Sequence, residues 1–118
     1  MGTFSVTIEV GDPQGHRYEP VEALVDTGAT YSQMPASLLQ RLGVRPHGMV
    51  TFMYANGAQE ERPIGRTWVR LGGKAEITLV VFRAENTGAL LGAYTMEGFL
   101  VAPDPLNRRL VPVLGLMM

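Results

Sequence analysis

At 118 residues the chain has room for one domain, residues 1–118, and an apolar fraction of 46% suits a folded core. A formal net charge of −1 with scattered basic residues argues against nucleic acid as a partner, and the absence of cysteine excludes disulfides and thiolate sites. No apolar run is long enough to span a bilayer, and the chain starts on an alternating strand instead of a leader, so a cytoplasmic protein without a membrane partner is expected.

Fourteen glycines and eight prolines imply many turns and favour short strands over long helices. Phe4, Val6, Ile8 and Val10 alternate with Ser5, Thr7 and Glu9, the period of a strand with one buried face. Gly11 to Gly15 has the chemistry of a turn, and a second strand from about His16 to Val25 completes an opening hairpin. That hairpin delivers Asp26. Three apolar residues, Ala23, Leu24 and Val25, run straight into this acid, and Thr27-Gly28-Ala29 follows.

Two readings of Asp26 stand side by side. Asp and Gly favour turns, and an Asp carboxylate can accept from its own backbone two residues on. Alternatively, Asp26 is a functional carboxylate at the end of a buried strand, where a lone charge would be costly unless something offsets it. Gly28 would then permit a tight turn and close approach of a substrate.

Further along, Pro35 suits the first turn of a short helix that Gly43 stops, with Leu38, Leu39 and Leu42 on one face. Met49 to Tyr54 reads as a strand, and Asn56-Gly57 is the strongest hairpin signal in the chain. The return arm, Gln59 to about Leu71, contains Pro63 and Gly65 and should be bent or at an edge. After a turn at Gly72-Gly73-Lys74 comes a strand from Ala75 to Phe82, in which Ile77, Leu79 and Val81 alternate with Thr78 and Val80. Ala89-Leu90-Leu91-Gly92 is a second apolar run ending in glycine, with a helix candidate at Tyr94 to Phe99. Asp104 to Asn107 separates two apolar arms, Leu100 to Pro103 and Leu110 to Leu116, as a hairpin or a pair of terminal strands. The last residues, Val113 to Met118, are apolar enough to need cover by the core or by a partner chain.

The order of these pieces resembles the retropepsin-like aspartic proteases, in their prokaryotic and cellular single-domain form. Leu24-Val25-Asp26-Thr27-Gly28-Ala29 matches that family's acidic loop, and Leu90-Leu91-Gly92 with its following helix matches the second motif. The resemblance implies an all-β, acid-protease fold with one or two short helices: a closed barrel or sandwich protomer. It also implies an aspartic endopeptidase in which Asp26 is catalytic, Thr27, Gly28 and Ala29 form the active-site loop, and the Thr27 hydroxyl bonds across to the opposite loop.

Carboxylate-driven peptide hydrolysis needs one ionised and one protonated acid close together. The chain has three aspartates, and Asp12 and Asp104 each precede proline in turn sequences. One protomer therefore holds half of the pair, and a two-fold homodimer would supply the other half. The Asn56-Gly57 hairpin is the candidate flap, with Met53 and Tyr54 facing a peptide or protein substrate. Leu24, Ala29, Thr30, Ile64 and Leu90 are candidate pocket walls, or simply core. His16 and His47 read as solvated loop residues, so no metal or cofactor is expected.

The chain departs from the viral pattern at Thr30, where viral members place an acid, and at Ala93, where they place an arginine. Those two residues pair near the viral dimer axis, so the contacts of this dimer must differ; Thr3 to Val10 and Leu110 to Met118 are the candidates. Two other readings stay open: a non-catalytic peptide-binding or dimerisation module on the same fold, and an unrelated small β-barrel in which Asp26 is a turn residue.

Overall fold

The computed structural model describes residues 3–115. Nine strands and two short helices occur among them in the order β1 (Ser5–Gly11), β2 (Tyr18–Val25), β3 (Ser32–Pro35), α1 (Ala36–Arg41), β4 (Gly48–Met53), β5 (Gln59–Leu71), β6 (Lys74–Arg83), β7 (Ala89–Leu91), α2 (Ala93–Gly98), β8 (Val101–Asp104) and β9 (Arg109–Pro112). The large sheet runs β1-β2-β7-β3-β6-β5-β4. Glu9 and Val10 of β1 pair with Arg70 and Val69 of β5, which closes six strands into a barrel and leaves β4 outside it. Closure removes the open edges that a sheet this size would otherwise expose.

The opening hairpin forms as expected, with Ser5 opposite Leu24 and Gly11 opposite Tyr18. Phe4, Ile8, Val10, Ala23 and Val25 point into the barrel and join Met34, Val80, Phe82 and Leu91 in the core. Full burial of such side chains contributes roughly 1.5–3 kcal/mol each. Strand β1 therefore gives its apolar face to its own barrel and leaves Ser5 and Thr7 exposed on the other.

Pro35 closes β3 and caps α1 at its N-terminus, with φ −54°. Leu38, Leu39 and Leu42 pack inward. The helix stops where Gly43 takes φ +79°, its N–H bonding the Gln40 carbonyl while the Val44 N–H bonds that of Leu39. That pair of bonds satisfies carbonyls a helix end otherwise leaves open.

Strand β3 has no counterpart in the local sequence pattern. Its four residues hold together through long-range partners: parallel pairing of Ser32–Pro35 with Val80–Arg83, and antiparallel pairing of Gln33 with Leu90. In β6 the barrel interior takes Thr78, Val80 and Phe82, while on the other face Ile77 is 48% exposed and Val81 is buried beneath the cleft. Thr78 is accepted inside because its hydroxyl is bonded there, as described below.

The long arm β5 changes partners at Pro63. Residues Gln59–Pro63 pair only with β4, and pairing with β6 begins at Ile64. A proline N cannot donate to a ladder, so it sits where one edge is open. The hairpin β4–β5 thus projects from the barrel. The terminal strands β8 and β9 form a separate two-stranded hairpin. Among the described residues no helix is long and apolar enough to cross a membrane.

Candidate active-site cleft

Strand β2 ends on Val25, and the next residue is locked from two sides. The Asp26 N–H donates to the Leu91 carbonyl at 3.0 Å, and the Asp26 carbonyl accepts from the Ala29 N–H at 3.2 Å. The Gly28 N–H donates to Asp26 Oδ1 at 2.9 Å. The turn reading and the carboxylate reading are thus compatible: the loop is a tight turn, and the turn itself orients the carboxylate. Asp26 is half-buried, Thr27 and Gly28 are exposed, and Ala29 is half-buried.

The loop is held from below by β7, which runs between β2 and β3. Ala23, Leu24 and Val25 pair in parallel with Ala89, Leu90 and Leu91. The chain then passes under the Asp26 loop at Gly92, where an added Cβ would lie 2.5 Å from the Tyr31 carbonyl carbon. Only a glycine allows that crossing. The Gly92 N–H donates to Ser32 Oγ at 3.0 Å, Ser32 Oγ lies 2.6 Å from Thr95 Oγ1, and Thr95 Oγ1 lies 2.8 Å from Thr78 Oγ1. All three hydroxyls are buried. Buried polar groups are costly unless partnered, and here each partners another.

Where viral members carry an acid and an arginine, this chain uses its backbone. The Ala93 N–H donates to the Ala29 carbonyl at 2.8 Å, and the Tyr94 N–H to the Thr30 carbonyl at 2.9 Å. The Tyr31 and Tyr94 rings add a tilted contact, 5.9 Å between centroids. The start of α2 is thereby fixed to the acidic loop without an ion pair.

Above the loop lies a cleft of about 760 Å³. Its floor is Asp26, Gly28, Ala29, Thr30 and Leu90; its roof is Thr51, Phe52 and Met53 of β4 and Tyr54 just after it. Of the sequence-expected residues, Asp26, Gly28, Ala29, Met53, Tyr54 and Leu90 meet here. Thr27 lies on the far side of the loop, against a smaller recess shared with Phe4, Pro103 and Pro105. Leu24 and Ile64 do not line the cleft; Ile64 is core. Asn56 and Gly57 build the hairpin tip instead of the cleft wall. Gly57 takes φ +86°, its N–H bonds the Tyr54 carbonyl, and Asn56 Oδ1 accepts from the Ala58 N–H. Asn-Gly therefore ends a three-residue loop instead of filling the two central positions of a tighter one.

The cleft also contains polar residues that the sequence reading did not single out: Gln33, Glu60, Arg62, Arg83 and Thr87. Glu60 accepts from the Tyr54 hydroxyl at 2.7 Å and pairs with Arg62 at 3.2 Å. Its acceptance of that proton holds the Tyr54 phenol above its ordinary range. Glu60 and Arg62, two apart on the outer arm of a strand, share a face by period two, and that spacing is the signal that could have found them. Arg83 had no such signal; pairing with β3 places it.

Asp12 and Asp104 sit in turns away from the cleft. Asp12 Oδ1 accepts from the His16 N–H at 2.8 Å, and this bond leads in holding its carboxyl below the usual range. Asp104 Oδ2 accepts from Asn107 Nδ2 at 2.8 Å, with the same effect. Asp26 is thus the one aspartate in the cleft.

A family model described as "gag-polyprotein putative aspartyl protease" matches residues 15–97, which include the Asp26 loop, the β4–β5 hairpin and Gly92. No curated protein matches the sequence. Among solved structures, the chain is similar to the Simian Foamy Virus (mac) protease, with a TM-score of 0.58 and 17% identity over 84% of this chain and 98% of that one. It is similar to the retroviral protease-like domain of Ddi1 from Leishmania major, with a TM-score of 0.56 and 20% identity over 95% of each. A retropepsin-like aspartic protease from Rickettsia conorii gives a TM-score of 0.51 and 21% identity over 81% of this chain and 82% of that one. At these identities the likeness is one of fold.

Proposed function

The chain belongs to the gag-polyprotein aspartyl protease family, and from that premise we propose that it is an aspartic endopeptidase that works as a homodimer. The observation that carries this reading is Asp26, the one aspartate on the floor of a cleft roofed by a projecting hairpin. A two-fold axis beside the loop brings Asp26 of each protomer to one place. Two carboxylates about 3 Å apart cannot both carry charge, so such a pair holds one proton in common.

The reaction needs no more than that pair and a water. The ionised carboxylate takes a proton from water as its oxygen attacks the scissile carbonyl carbon. The protonated carboxyl donates to the carbonyl oxygen, giving a tetrahedral diol. Collapse of the diol breaks the C–N bond: one diol hydroxyl returns its proton to the carboxylate now ionised, and the other carboxyl gives its proton to the leaving nitrogen, which restores the pair. The substrate lies as an extended strand under β4–β5, bonded through its main chain, with side chains in alternate pockets. The hairpin closes over it and limits water, with Gly57 supplying the flexible tip.

The dimer surface we infer is the C-terminal hairpin. Leu106 at its turn is 89% exposed and Leu114, just after β9, is 92% exposed, and Pro103 and Pro105 already border the recess beside Thr27. Residues 116–118 of the proposed interface lie outside the described residues.

Asp26→Asn is the deciding variant. It should lower cleavage of an unbiased peptide library by at least about 100-fold, since the substitution falls in both protomers and removes both acid–base groups of the pair. Its circular dichroism and its solution mass should stay those of the wild type. Activity should fall on dilution in step with dimer dissociation and should favour acid pH. Cleavage by a proven monomer, or undiminished cleavage by Asp26→Asn, would refute the proposal. Retained peptide binding without any cleavage by the wild type would instead mark a binding module.

A further inference from the structure

The charges that face the cleft are unequally matched. Asp26 lies on the floor, Glu60 and Arg62 on the flap arm β5, and Arg83 at the end of β6. Glu60 is committed twice, to the Arg62 guanidinium and to the Tyr54 hydroxyl. Arg83 has no such counter-ion. Its Nη1 donates to the Gly88 carbonyl at 2.6 Å, a neutral acceptor. Among the described residues no carboxylate lies within 4.0 Å of it. Glu85, two residues further on, is turned away, with one oxygen on the Ser37 N–H and the other on the Ser37 hydroxyl.

A guanidinium carries five N–H donors and cannot lose its charge. One donor of Arg83 anchors the loop that follows β6; the others are available to whatever lies in the cleft. The side chain is half-buried, so its charge is only partly screened by water.

We propose that Arg83 is a specificity-determining residue, which selects an acidic side chain in the peptide held between the Asp26 loop and the flap. The inference rests on the proteolytic reading for its geometry of substrate binding. In a two-fold dimer a second Arg83 stands at the equivalent place beyond the scissile bond. The substrates are therefore segments with an aspartate or glutamate on each side of the cleaved bond. A carboxylate meets the guanidinium fork with two parallel hydrogen bonds, which neither an amide nor a hydroxyl reproduces with charge.

The test reads cleavage and binding separately. A peptide library is offered to the wild-type protein and its cut sites are sequenced. The same library is offered to Asp26→Asn protein, and the bound peptides are identified. Both steps are repeated with Arg83→Gln, which keeps a donor for Gly88 but loses the charge, and with Arg83→Lys, which keeps the charge. Acidic residues should be enriched near the cut sites and in the bound set. Arg83→Gln should reduce that enrichment about fivefold, Arg83→Lys should retain most of it, and high salt should weaken it in the wild type. Arg83→Glu should turn the preference toward lysine and arginine.

Acid-selective binding that depends on Arg83, with no cleavage by the wild type, would uphold this inference and sink the catalytic one. Cleavage without acid enrichment, or with enrichment unchanged in Arg83→Gln, would overturn this inference and leave the protease standing. Neither cleavage nor binding would overturn both.

Discussion

Replacing Gly92 by alanine puts the wedge beneath the Asp26 loop to a quantitative test. Gly92 has φ −97° and ψ 175°, a backbone conformation open to any residue. On conformational grounds alone, alanine would stabilise the protein by about 0.4–1 kcal/mol, through the unfolded chain. Sterics reverse the sign. The new Cβ would lie 2.5 Å from the Tyr31 carbonyl carbon, 2.6 Å from its oxygen and 2.8 Å from the Ser32 nitrogen. All three are backbone atoms, so no side chain can swing aside, and the two segments must part by about 0.9 Å to reach the 3.4 Å of ordinary contact. Overpacking of this kind costs roughly 1–3 kcal/mol. The same movement strains the Gly92–Ser32 bond and the two backbone bonds from α2 to the Asp26 loop, each worth about 1 kcal/mol. After the entropic offset, the net loss is about 3 kcal/mol, or roughly 10 °C in Tm for a chain of this size. Thermal and urea unfolding followed by circular dichroism measure it, with peptide cleavage as the companion assay; the displaced loop should lose most of its activity. Gly43→Ala is the control. It sits at φ +79° with nothing within 4 Å, so only backbone strain of about 1 kcal/mol applies and cleavage should persist. A Gly92→Ala protein as stable and as active as the wild type would refute the reasoning.

Three further outcomes are expected. Thr95→Val keeps the shape of the side chain but leaves the buried Thr78 hydroxyl without the partner it has 2.8 Å away; a loss of about 1–3 kcal/mol should appear as a lower urea midpoint at unchanged m-value. Glu85 is held below the ordinary glutamate value of about 4.5, chiefly by the Ser37 hydroxyl and then by the Ser37 N–H, and Glu19 likewise, chiefly by the Arg41 guanidinium. Carboxyls depressed on folding add stability that is present above the unfolded pKa and lost as pH falls through the folded one. The urea midpoint should therefore drop below about pH 4.5, and Glu85→Gln should flatten that acid limb; a slope identical to the wild type would contradict the assignment. Gly57→Ala, at φ +86° in open space, should cost about 1 kcal/mol in the hairpin tip and slow turnover more than it lowers Tm, read from kcat beside thermal unfolding.

Features under local control are legible in the order of the residues. Alternation at Phe4 to Val10, the turns at Gly11–Gly15 and Gly72-Gly73, the limits of the Gln59–Leu71 arm and the glycine stop at Gly43 follow from period and turn chemistry, and all appear in the fold. Apolar residues leading into Asp26 marked the acid as the point of interest, because a charge at a buried strand end has to be accounted for.

Which distant segments share a space depends on long-range pairing between strands. Ser32–Pro35 is a strand because β6 and β7 flank it, though its own four residues show no such preference. The buried hydroxyl chain joins residues up to 63 apart in sequence, and no local window contains it. Arg83 faces the cleft, and the Asn56-Gly57 tip does not line it, for the same reason: closure of the barrel through β1 and β5 sets where each arm ends, and closure is a property of long-range pairing. Period and turn chemistry act over a few residues. Pairing between strands far apart in the chain is fixed by the whole, and it was there that the charge of the cleft was settled.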